Sequence, residues 1–71
     1  MSFGERLRLT RCDRRMSVTT LADYSGLNRS TIHNLENGTT ELPDGTTLIC
    51  LCENLNVSAD YLLGLKPGEQ K

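Results

Sequence analysis

The sequence has little of what catalysis or metal binding requires. It holds one histidine, His33, and three cysteines, Cys12, Cys50 and Cys52, a set too small and wrongly spaced for a zinc ribbon or finger. Cys50 and Cys52 stand two apart, so a helix sends them to different faces, and an odd cysteine count argues against disulfide stapling. Free, buried or half-buried thiols in a reducing compartment are expected. The glycines are scattered at predicted helix ends, so there is no phosphate-cradling loop. Ser30 and His33 lie one helical turn apart, but a chain this short offers them no pocket. No enzyme activity, cofactor or metal is expected. There is no apolar run long enough to cross a bilayer and no charged-then-apolar leader, which points to the cytoplasm. Internal repeats and low-complexity segments are also lacking.

Overall basic charge is missing too. The formal net charge is −1, unlike most nucleic-acid binders. The distribution is more informative than the sum. Residues 1–29 carry Arg6, Arg8, Arg11, Arg14, Arg15 and Arg29 against Glu5, Asp13 and Asp23, a net of +3. Residues 30–71 carry two lysines against six carboxylates, a net of −4. A local basic patch can therefore hide within the total.

What is present is a helical pattern, densest from Leu21 to Gly38 (LADYSGLNRSTIHNLENG). Leu21 and Ala22, with Val18 three residues earlier, form one apolar set. Gly26 can adopt φ > 0 and stop that helix. Leu27 follows as an apolar plug, and the Asn28 side chain can cap the next helix. Ile32 and Leu35 then share one helical face, and Gly38 closes the segment. Two short helices with a glycine turn between them form a helix-turn-helix. The outward positions of the second helix are Arg29, Ser30, His33, Asn34 and Asn37. These are residue types that read base edges: arginine for guanine, asparagine for adenine, serine for either.

The remaining helices follow from caps and spacing. Ser2 can cap a helix from Phe3 to about Arg14, with Phe3, Leu7, Thr10 and Arg11 facing inward. An inward arginine needs a partner. Ser17 caps a helix from Val18 to Tyr24, and the reading helix spans Asn28–Asn37. A loop from Thr39 to Gly45 follows, then a helix from Thr46 to Leu55, capped by Asp44 or Thr46. Its stripe of Leu48, Leu51, Cys52 and Leu55 faces the core. Ser58 caps a last helix from Ala59 to Leu63, stopped by Gly64. The expected core is Phe3, Leu7, Leu21, Ala22, Leu27, Ile32, Leu35, Leu48, Leu51, Cys52, Leu55, Val57 and Leu62. One domain over 1–65 is expected, with 66–71 a flexible tail or the start of a linker.

Leu21-Ala22, Gly26-Leu27, the Asn28–Ile32 run NRSTI, the Leu35–Gly38 run LENG and the closing LNVSADYLLG (55–64) together resemble the lambda-repressor-like family. That family includes Cro, the phage repressors and the xenobiotic-response-element class. The resemblance covers roughly residues 3–64. It implies an all-α, compact five-helix fold and a sequence-specific regulator of double-stranded DNA, a repressor of phage or bacterial type acting as a homodimer. It also implies a structural ion pair between Arg11 and Glu36. Base contacts then fall to Arg29, Ser30, His33 and Asn34. Backbone contacts fall to Ser17, Thr19, Asn28, Asn37, Thr39 and Arg14. Helix five and the face carrying Ile49 are the candidate dimer surfaces.

Two departures stand out. Val18 occupies a position where relatives often carry a phosphate-touching glutamine, and Glu41 stands where they often carry a cation. Both favour an alternative, a protein-interaction module on a helix-turn-helix scaffold with little DNA binding.

Overall fold

Each helix starts where a side chain can satisfy its free amides. The computed structural model describes residues 1–65; the tail expected over 66–71 lies outside the described residues. Helix α1 spans Phe3–Asp13. Ser2 Oγ accepts from the Glu5 amide at 3.2 Å, and Glu5 Oε1 accepts from the Ser2 amide at 3.0 Å. This is a reciprocal capping box, in which Glu5 satisfies the cap amide as well as adding negative charge to the first turn. Helix α2 spans Val18–Ser25, one residue longer than expected, and is capped by Ser17. Helix α3 spans Arg29–Glu36, with Asn28 and Asn37 as its flanking caps. Helix α4 spans Gly45–Leu55, one residue earlier than expected, and Asp44 rather than Thr46 caps it. Helix α5 spans Ala59–Leu63, capped by Ser58. Among the described residues the fold is all-α.

The packing order places α3 against two partners. Helix α1 packs on α3 and α5, α2 on α3 and α4, and α4 on α5. The core is Phe3, Leu7, Leu21, Ala22, Ile32, Leu35, Leu51, Leu55, Val57 and Leu62. Leu27, Leu48 and Cys52, expected inside, are half-buried and pack against its edge with Met16, Val18, Tyr61 and Leu63. Thr10 is buried as expected, yet its hydroxyl finds no hydrogen-bond partner among the described residues.

Two contacts pin α3. At its C-terminal turn the backbone of α1 comes so close that only glycine fits. A Cβ on Gly4 would stand 2.1 Å from the Leu35 carbonyl oxygen and 2.8 Å from that of Glu36. On the same turn, Arg11 grips Glu36. Nε donates to Oε2 at 2.7 Å and Nη2 to Oε1 at 3.0 Å, while Nη1 donates to the Met16 carbonyl at 2.8 Å. The guanidinium's pKa is raised, chiefly by its hydrogen bond to Glu36, with burial opposing and the carboxylate charge adding. Both α1 and the α1–α2 turn are thereby tied to the end of α3.

Candidate nucleic-acid interface

The inner face of α3 is defined by Ile32 and Leu35, both almost wholly buried. A helix advances about 100° per residue, so the opposite ridge is Ser30 and Asn37. Arg29 and His33 flank it on the side of Glu36. Asn34 and Thr31 flank it on the other side, where a shallow groove lined by Thr31, Asn34, Thr40, Pro43, Asp44 and Thr47 separates α3 from the loop and the start of α4. Arg29, Ser30, His33 and Asn34 are all exposed. None of the four side chains makes a hydrogen bond or ion pair among the described residues.

Asn28 differs from its expected role. It stands at the cap position with extended backbone, but its side chain makes no capping bond. The Thr31 and Ile32 amides reach only its main-chain carbonyl, at 3.1 and 3.4 Å. The other four helices all have side-chain caps, from Ser2, Ser17, Asp44 and Ser58. The Asn28 side chain is thus left facing solvent beside Arg29.

The expected backbone contacts divide into free groups and groups already used within the fold. Thr19 is exposed and its side chain is unbonded. The Ser17 hydroxyl accepts from the Thr20 amide and donates to Thr20 Oγ1, both at 3.0 Å. Asn37 Oδ1 accepts from the Thr39 amide at 2.9 Å, so that amide holds the turn after α3 and only the Thr39 hydroxyl remains open. Arg14 is engaged within the fold. Its Nε donates to the Leu55 carbonyl at 2.8 Å and its Nη1 to Asp13 at 2.7 Å. Its guanidinium therefore joins α1 to the end of α4. Arg6 donates to the Met1 carbonyl at 2.6 Å and covers Gly64. Of the six arginines, only Arg8, Arg15 and Arg29 are exposed. The basic half of the sequence is less basic at its surface than its composition suggests.

Sequence reasoning missed Gly4 as a determinant of the pose of α3. A glycine at the second position of a helix carries no signal of what packs against it. Val18 is half-buried against the core, so its departure from a polar residue is filled by packing.

A family model described as a helix-turn-helix domain matches residues 4–66. The chain belongs to this helix-turn-helix family. Its fold is of the lambda-repressor-like type, as the sequence resemblance implied. The HTH-type transcriptional repressor RghR of Bacillus subtilis (strain 168) is 39% identical over 62 residues, covering 87% of this chain and 46% of that protein. The chain thus spans about half the length of the curated relatives it matches. Among solved structures, the P22 c2 repressor in complex with a synthetic operator superposes with a TM-score of 0.82 at 33% identity, covering 89% of this chain and 94% of the other. The restriction-modification controller protein C.AhdI from Aeromonas hydrophila superposes with a TM-score of 0.79 at 33% identity, covering 86% and 91%. No helix of the described residues is long and apolar enough to cross a membrane.

Proposed function

We propose that this chain is the operator-reading domain of a transcriptional regulator, a repressor of bacterial or phage type, acting on double-stranded DNA in the cytoplasm. One observation carries the reading: the outward face of α3 presents four exposed polar side chains with no partner among the described residues, while its inner face is locked by Gly4 and by the Arg11–Glu36 pair. A helix held rigidly with unpartnered donors and acceptors outward suits the major groove. Arg29 pairs with guanine and Asn34 with adenine, and Ser30 and His33 assist. Asn28, Thr19, Asn37 and the Thr39 hydroxyl hold the sugar–phosphate backbone. The repressor names of RghR and P22 c2, the latter seen on an operator, support the assignment.

A homodimer follows from reach. Eight residues of helix measure about 12 Å, which spans about four base pairs, too few for useful specificity. Two copies would read half-sites about 34 Å apart. Ile49, 58% exposed on α4, and helix α5 offer the pairing surface.

The rival is a protein-interaction module. Val18 without a polar group, the exposed Glu41 and the few exposed arginines favour it. Selection from a random duplex pool with the purified chain decides between them. Enrichment of an inverted repeat, with G and A facing Arg29 and Asn34, is expected. Recovery of no sequence from folded protein would overturn the DNA reading in favour of the interaction module.

A further inference from the structure

All five helices give way to a left-handed residue, and four of the five are residues that accept it: Gly26 (φ +73°), Gly38 (+87°), Gly64 (+82°) and Asn56 (+57°). The fifth is Arg15, at φ +58°. Its amide donates to the Cys12 carbonyl at 2.9 Å and the Met16 amide to the Arg11 carbonyl at 3.1 Å. This pair of bonds defines a helix stop whose left-handed position glycine usually fills. A Cβ in that backbone region crowds the carbonyl, and a long side chain gains nothing there locally. The fold returns nothing for it either. The Arg15 side chain is exposed and makes no hydrogen bond or ion pair among the described residues. Strain held without an internal reward points to an external ligand.

The surroundings identify the ligand's chemistry. Arg11 holds the Met16 carbonyl with one nitrogen and Glu36 of α3 with the others, so the turn carrying Arg15 is fastened to the end of α3. Two residues after Arg15, Ser17 opens α2 with its hydroxyl already used by Thr20. Val18 follows with no polar group. In the turn that leads into α2, beside the reading helix, Arg15 is therefore the exposed cation, and Thr19, the open group that follows it, offers only a neutral hydroxyl.

We propose that Arg15 is a clamp for a DNA phosphate at the entry to α2, where Val18 offers no polar group. This rests on the DNA-reading function above. The clamp adds affinity on any sequence and no base preference.

The test exploits the backbone. Arg15→Gly and Arg15→Asn remove the cation while suiting the left-handed position; Arg15→Lys keeps the cation. Each is titrated against a random-sequence duplex pool across a salt series, and its melting temperature is recorded. The expected result is weaker binding by the Gly and Asn variants, with a slope of log K against log salt shallower by about 0.9 per protomer. Their melting temperatures should equal or exceed that of the parent. Arg15→Lys should retain the parent slope. Parent-like affinity and slope in Arg15→Gly would overturn the proposal, as would a loss of affinity that only tracks a lower melting temperature. If the unaltered chain binds no duplex, the DNA reading falls with it, and that titration separates the two failures.

Discussion

Arg11 and Glu36 meet through two parallel hydrogen bonds, at 2.7 and 3.0 Å, across the junction of α1 and α3, with side chains only 12% and 8% exposed. A third donor of the same guanidinium closes the α1–α2 turn at Met16. One half-buried arginine thus ties together α1, the α1–α2 turn and the end of α3. Removing either partner leaves a nearly buried charge without a counter-ion. Arg11→Ala or Glu36→Ala should each cost about 3 kcal/mol of stability, whereas the double change to Met and Leu should lie much closer to the parent. Urea unfolding of the four proteins measures this; equal losses in single and double variants would refute it.

Gly4 makes a second prediction about the same turn of α3. Alanine there would drive a Cβ to 2.1 Å from a backbone oxygen that cannot swing aside. Gly4→Ala should destabilise the domain by about 3 kcal/mol, although alanine is the better helix former. Gly45→Ala, where a Cβ meets nothing within 4 Å, is the control and should be neutral or stabilising. Thermal melts of both variants provide the comparison.

Acid sensitivity should involve the cap of α4. Asp44 is held below the ordinary carboxylate range by hydrogen bonds from Thr47, first its amide and then its side chain. A depressed folded pKa contributes stability above the unfolded value, and that contribution is lost as pH falls through the folded one. Asp44→Asn keeps a capping oxygen without the titration. Between about pH 5 and about pH 2, stability of the Asn variant should fall less steeply than that of the parent. Parallel curves would exclude the linkage.

At the interface, two substitutions should act in different ways. Arg29→Ala should remove about 1–3 kcal/mol of discrimination at one base pair and leave binding to unrelated sequences nearly unchanged. Glu41→Lys converts a repulsive charge in the α3–α4 loop into an attractive one. It should strengthen binding to every sequence and steepen the salt slope by about 0.9 per protomer. Affinities on a selected operator and on a random duplex, at several salt concentrations, separate the two patterns.

Much of this architecture was legible because the signals are local. Ser2, Ser17, Asp44 and Ser58 cap helices where their own side chains reach amides three residues on, and Gly26 stops α2 by its own backbone freedom. The 3.6-residue period of Ile32 and Leu35 likewise sets which side of α3 faces outward, and so exposes Arg29, Ser30, His33 and Asn34. A sequence of 71 residues therefore determines five helices, their apolar faces and the polar outward face of α3, since each depends on neighbours within a turn. The tertiary structure decided what those neighbours could not. It turned Arg14 from a free cation into a brace on Leu55. It left Asn28 without its capping bond and placed a strained Arg15 beside the start of α2. It also made Gly4 irreplaceable. Whether a charge is free or bonded, and whether a glycine is crowded, depends on segments far away in the chain, and only packing brings those together.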